Sequence, residues 1–238
     1  MKNKVDKVEP CGIPKEIQEK VETKDTTELV FILDKSGSMA GMEKDVIGGF
    51  NAMIEKQKVL SGKAYVSTVL FSTYSEVVHD RVDLEEVPPM TDENYQVGGG
   101  TALLDAIGGA IKHIANVHKY VRKEDVPSKT IFVITTDGME NASRKYHSRQ
   151  IKEMIRLHEE DFGWEFLFVA SNIDAVETAE NIGIRRERAA NYDAKTQTRA
   201  FFDTVSMSLR DFRTSGSISE SWAKDLENEL GKDDKSDK

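Results

Sequence analysis

The chain has almost no cysteine: one in 238 residues, Cys11, so no disulfide can form within it. A lone thiol fits a reducing compartment. Long hydrophobic runs are absent as well, and none approaches the roughly 20 apolar residues of a membrane-spanning helix. The opening Met1 to Lys7 is charged and has no apolar core of a secretory signal. These absences lead us to expect a cytoplasmic protein that does not span a membrane. Positive charge is in deficit, with 33 Lys and Arg against 42 Asp and Glu and a formal net charge of −9. A field of that sign excludes a nucleic-acid or anionic-membrane surface and suits cationic partners or metal ions. Also missing are a G-x-x-x-x-G-K-[ST] phosphate loop, a G-x-S-x-G elbow and an H-E-x-x-H helix. The five histidines fall at no metal-ligand spacing, so His79 and the others read as structural or solvated.

What the chain does have is pattern. With 38% apolar residues it can build one well-buried domain. Leu29 to Leu33 is a continuous apolar run of strand length, the signature of a strand covered on both faces in a parallel sheet. It ends at Asp34, and Asp34, Ser36 and Ser38 then alternate through a turn loosened by Gly37. Val46, Ile47, Phe50, Met53 and Ile54 follow with a 3.6-residue period, predicting a helix from Glu43 to Val59. Ala64 to Phe71 and Glu76 to Val82 read as strands whose connection is too short for a helical crossover, so they must pair antiparallel. Pro88 and Pro89 mark a loop that ends in Gly98, Gly99, Gly100 and Thr101, where a helix carrying Leu103, Leu104, Ile107, Ile111 and Ile114 begins. Lys129 to Asp137 repeats the opening theme, a buried β-rich run ending in an aspartate.

Beyond it the pattern predicts a helix with Ile151, Met154, Ile155 and His158, a strand from Trp164 to Ala170, a short helix with Val176, Ala179 and Ile182, and a brief strand near Ala189 to Tyr192. A last helix carries Phe201, Phe202, Val205, Leu209 and Phe212. Strand and helix alternating at this spacing predict a three-layer α/β/α Rossmann-like sandwich with a mostly parallel sheet and one antiparallel edge strand. We divide the chain into a polar extension, 1–27, a domain, 28–213, and a charged extension, 214–238. In the first extension Ile13, Ile17 and Val21 allow either a short docking helix started by Pro14 or a frayed tail. In the last, Ile218, Trp222, Leu226 and Leu230 stand four apart, which would make one apolar stripe on a helix folded back on the domain or docked on a partner. The final Gly231 to Lys238 has the composition of a disordered tail.

In an open α/β sheet, ligands bind outside the carboxyl ends of the strands where the winding reverses. If the Leu29 and Lys129 strands are neighbours there, Asp34 and Asp137 face each other and Thr101 can join them. The set Asp34, Ser36, Ser38, Thr101 and Asp137 is all oxygen, which suits Mg²⁺, Mn²⁺ or Ca²⁺ and not zinc or copper. These residues resemble the von Willebrand factor type A (VWA) family with a metal-ion-dependent adhesion site (MIDAS). That site is D-x-S-x-S, a separate Thr and a separate Asp, and all five positions match. The resemblance runs from about Thr27 to Phe212 and implies a six-stranded sheet in the order 3-2-1-4-5-6. It further implies that Ser36 and Ser38 bind the cation through their hydroxyls, and that Thr101, Asp34 and Asp137 bind directly or through water. One position would stay open for an Asp or Glu of a partner protein. Lacking a secretory signal and a disulfide, the chain is most similar to the free-standing intracellular bacterial members.

The function these readings favour is a metal-dependent protein-interaction module, not an enzyme. A second reading is a scaffold whose metal only stiffens the loops while the C-terminal segment holds the partner. A third, a metal-dependent phosphotransferase or phosphatase, needs a general acid two residues after Asp34, where Ser36 stands. Loop residues Met39, Met42, Tyr74, Met139, Glu140, Asn141, Tyr146 and His147 should share the binding face. Glu140 would be a surface carboxylate or a partner for a metal-bound water.

Overall fold

A computed structural model describes residues 25–194, 196–224 and 226. The expectations for Ile13 to Val21, Cys11, Leu230 and Gly231 to Lys238 lie outside the described residues. The strands are β1 (Thr26–Asp34), β2 (Lys63–Phe71), β3 (Ser75–Asp83), β4 (Lys129–Thr136), β5 (Glu165–Ala170) and β6 (Ala189–Asn191). The helices are α1 (Glu43–Lys58), α2 (Leu103–Tyr120), α3 (Ser148–Phe162), α4 (Ala175–Ile182) and α5 (Thr198–Ser215). The six strands form one sheet in the order β3-β2-β1-β4-β5-β6, parallel except for β3, which pairs antiparallel with β2.

The continuous apolar runs are explained by two cores, one on each side of the sheet. Side chains alternate across a strand, so Leu29, Phe31 and Leu33 of β1 enter a core with α1 and α5, while Val30 and Ile32 enter the other with α2, α3 and α4. β4 and β5 divide the same way, with Val133 and Leu167 on the first side and Phe132 and Phe166 on the second. The aromatic rings interlock: Phe31 meets Phe50 of α1 edge-on at 5.4 Å, and Phe132 stacks on Phe166 at 4.9 Å. β3 leaves one face to solvent and is accordingly polar, as an edge strand should be.

The C-terminal stripe differs from expectation. Ile218 lies in irregular chain beyond Gly216, and turns occupy 220–223, so Ile218 and Trp222 do not share a helix face. They nonetheless pack on the domain: Ile218 and Leu226 are buried in the first core, the Arg188 guanidinium donates to the Ile218 carbonyl at 3.1 Å, and the Trp222 indole donates to the Glu187 carbonyl at 2.9 Å. α5 also runs two residues past the expected boundary. Its buried Arg213 donates to the carbonyls of Gln57 at 2.6 Å and Gly62 at 2.8 Å, tying the end of α5 to the α1–β2 turn.

His79 on β3 is 2% exposed, stacked parallel to Phe50, with Nδ1 3.0 Å from the Thr68 hydroxyl. Burial lowers its pKa below the ordinary 6.5, with the Pro88 backbone opposing. The unfolded chain therefore binds the proton more readily, so this contribution to stability is whole above pH 6.5 and falls as pH drops below it. Urea midpoints of wild type and His79→Gln at pH 7.5, 6.0 and 5.0 should show a steeper acid loss in the wild type, by up to about 1.4 kcal/mol per pH unit. Equal slopes would disprove it.

Candidate metal-binding site

β1 and β4 are neighbours, and the chain leaves them toward opposite edges of the sheet, so their carboxyl ends form the switch point. The loop after β1 is shaped by Asp34 itself, whose Oδ1 accepts the Ser36 N–H at 2.7 Å. The turn brings the Ser36 and Ser38 hydroxyls to 3.1 Å from each other. At the end of β4, Asp137 Oδ1 accepts from the Ser38 hydroxyl at 2.6 Å, and the Thr136 hydroxyl donates to Asp34 Oδ2 at 2.7 Å. Thr101 enters from the third loop: a Cβ placed on Gly138 would lie 3.6 Å from the Ser38 hydroxyl oxygen and 3.7 Å from that of Thr101. All five expected residues thus converge. Asp34, Ser36, Thr101 and Asp137 are buried, and Ser38 is exposed, so the site opens on the Ser38 side.

The glycine run makes the third loop's approach possible. Gly98 donates to the Lys35 carbonyl at 2.9 Å, and the Gly99 carbonyl accepts from Gly37 at 3.1 Å. Gly99 has φ +80, and a Cβ there would come within 2.6 Å of the Thr73 hydroxyl. At Gly100 it would meet the Asn141 side chain at 2.8 Å. Side chains at either position would push Thr101 out of the set.

Several positioning groups have no signal in the sequence. Glu140 is half-buried and its carboxylate is engaged by backbone N–H groups. Its Oε2 accepts the Leu104 N–H at 2.9 Å, capping α2, and its Oε1 accepts the N–H groups of Ala142 and Ser143 at 2.9 and 2.8 Å. Asn141 Oδ1 accepts the Thr101 N–H at 2.9 Å, while Asp105 on α2 accepts the N–H groups of Arg144, Lys145 and Tyr146 at 2.8 to 3.0 Å. Tyr95 donates from beneath to the Asp34 carbonyl. Met39 and Met42, expected on the binding face, are 3% and 8% exposed and pack in the first core, because a short turn at Gly37–Met39 folds them under α1. Tyr74 and Met139 are exposed, at 80% and 75%.

Electrostatically the site is short of positive charge. Burial pushes the Asp137 carboxyl above its usual range, the Ser38 hydroxyl pulls it back, and the Asp34 charge adds to the rise. Asp137 Oδ2 is buried without a hydrogen-bond partner. Lys35, the nearest lysine in sequence, turns to Glu76 at 2.6 Å instead. Among the described residues no group of three or more His, Cys, Asp or Glu is placed to hold a metal, so this hydroxyl-rich set is of a different kind. It fits a hard divalent cation. An octahedral shell with bonds of about 2.1 Å has adjacent oxygens about 3.0 Å apart, close to the 3.1 Å between Ser36 and Ser38.

No protein-family profile and no curated protein matches the sequence. Solved structures do. Proximal thread matrix protein 1 from the mussel byssus superposes with a TM-score of 0.53 at 13% identity over 80% of this chain and 47% of its own. The likeness is one of fold. A second structure of that protein gives 0.51 over 76% of this chain. The ArnB paralog VWA2 of Sulfolobus acidocaldarius gives 0.48 at 16% identity, over 76% of this chain and 45% of its own. The vWF domain of the pili tip protein Mfa5 of Porphyromonas gingivalis gives 0.40 at 16%, over 49% and 39%. The chain thus spans about half the length of the byssus protein it matches, and its six-stranded, mostly parallel sheet has the order 3-2-1-4-5-6 expected from the sequence. Among the described residues no helix is long and apolar enough to cross a membrane.

Proposed function

We propose that this chain is a VWA-type protein-interaction module. Asp34, Ser36, Ser38, Thr101 and Asp137 would hold Mg²⁺, or alternatively Mn²⁺ or Ca²⁺, and the cation would bridge to an Asp or Glu of a partner protein. The observation that carries this reading is the buried, unpartnered Asp137 Oδ2 within a converged set of oxygen donors. Leaving a carboxylate oxygen desolvated and unpaired costs about 1–3 kcal/mol or more, which a cation would recover. A binding role fits better than a catalytic one, since Ser36 cannot serve as the proton donor a phosphotransferase needs beside Asp34. A C-terminal partner site is disfavoured because Ile218 and Leu226 are already buried in the domain.

Calorimetric titration of Mg²⁺, Mn²⁺ and Ca²⁺ into metal-stripped protein, wild type beside Ser36→Ala, tests the reading. Saturable binding that Ser36→Ala weakens at least tenfold, and that acetate tightens in the wild type, is expected. No binding in the wild type would reduce the loop to a turn that only connects β1 to α1.

A further inference from the structure

α1 packs against α5, and two open clefts of about 320 and 380 Å³, which share Lys56 and Asp203, follow the seam between them as one groove. One cleft runs from Lys44 past Ala52 and over the buried Phe202 ring. The other is lined by Val59, Leu60 and Met207, of which Val59 is 83% and Met207 54% exposed. Apolar side chains this open, gathered in one groove, mark an interaction surface. The groove is also basic in an acidic chain. Lys44, Lys56, Arg199 and Arg210 line it against Asp45 and Asp203, whereas the whole chain has a formal charge of −9.

The start of the described chain lies at one end of this groove. Asp25 accepts from Lys129 Nζ at 2.8 Å, and the same Nζ donates to the Arg213 carbonyl at the end of α5. The Asp25 carbonyl is 3.6 Å from where a Gly62 Cβ would stand, in the α1–β2 turn. Residues 1–24 therefore join the domain where α1 and α5 both end, a few residues beyond Val59 and Arg210. The C-terminal segment is tied elsewhere, at Arg188 and Glu187 next to β6.

We propose that residues 13–21 of the same chain dock in this groove as a helix, with Val21 against Val59 and Met207 and with Ile13 against Ala52 and Phe202. Ile13, Ile17 and Val21 stand four apart, so a helix gathers them on one stripe. At 1.5 Å per residue the stripe covers about 12 Å, close to the about 10 Å from Val59 back to Ala52. The link is long enough as well. Four residues from Val21 to Asp25 reach about 14 Å, while Val59 lies at most about 11 Å from Gly62. Charge favours the same occupant. Glu9 to Glu22 carries four glutamates and two lysines, and it would face four basic and two acidic side chains. The contact is separate from the metal site and would hold whether or not a cation binds there.

Cys11, the one cysteine of the chain, stands two residues before Ile13 and serves as the probe. In the docked arrangement it comes close to Gly48, one helical turn before Ala52, where an added Cβ meets nothing within 4 Å. Full-length Gly48→Cys is oxidised in dilute solution beside full-length Glu153→Cys, whose new thiol stands on α3, on the opposite face of the sheet. A disulfide needs Cα atoms within about 7 Å, so its rate of formation reports how often Cys11 visits each position. Non-reducing electrophoresis and peptide mass spectrometry read the rates. Expected is a bond within the chain that forms about tenfold faster in Gly48→Cys than in Glu153→Cys, and that adding Ile17→Asp slows to the rate of the latter. Equal rates in the two variants would overturn the docking. So would a fast rate that Ile17→Asp leaves unchanged, because the apolar stripe would then not hold the segment. A bond between chains in place of one within the chain would overturn it in favour of a second copy in the groove.

Discussion

Asp34→Ala is expected to abolish the thermal stabilisation that Mg²⁺ confers. A cation that binds only the folded chain stabilises it by about 2.7 kcal/mol at a hundred times its dissociation constant. For a domain of this size that corresponds to a rise in Tm of about 5–10 °C. Asp34 is the residue to remove because both of its oxygens organise the site, Oδ1 through the Ser36 N–H and Oδ2 through the Thr136 hydroxyl. Without metal, the variant loses two hydrogen bonds but also loses a negative charge beside Asp137, so its Tm should move little. Differential scanning fluorimetry with and without Mg²⁺ reads both quantities. A full Mg²⁺ shift in Asp34→Ala would place the cation elsewhere.

Gly49→Ala should destabilise the domain by about 1–3 kcal/mol, whereas Gly48→Ala, one residue earlier, should be neutral or stabilising by up to about 1 kcal/mol. Both are interior positions of α1, where alanine is the better helix former, so propensity assigns them the same sign. Packing separates them. A Cβ at Gly48 meets nothing within 4 Å, while one at Gly49 would lie 2.1 Å from a ring carbon of Phe202 on α5. That ring is 4% exposed and tilted against Phe201 at 4.6 Å, so admitting the methyl group means displacing a packed side chain. Urea denaturation of both variants decides; similar midpoints would mean that α1 and α5 are less closely packed than described.

Much of the arrangement was legible in the chain because the signals are local. The apolar run Leu29 to Leu33 could only be a strand covered on both faces, and the short link between Phe71 and Glu76 could only be an antiparallel turn. Asp34, Ser36 and Ser38 lie within five residues, so their convergence needs only one turn. Asp137 and Thr101 could be placed with them once strand ends and the winding reversal were known. Met39 and Met42 show where such reasoning stops. Both sit in a short polar loop and look exposed, but the turn that follows Ser36 drives them into the core.

Sequence alone determined the alternation of strand and helix and the five oxygen-bearing side chains that gather at the carboxyl edge of the sheet. Both follow from periodicity and from what each strand ends in. Only the tertiary structure decided that Glu140 caps α2, that Asn141 holds Thr101, and that Ile218 and Trp222 pack back on the domain. Each of these joins segments far apart in the chain. A loop side chain carries no periodic mark of the distant backbone N–H or carbonyl it will meet, so such partners become visible only when packing has brought the segments together.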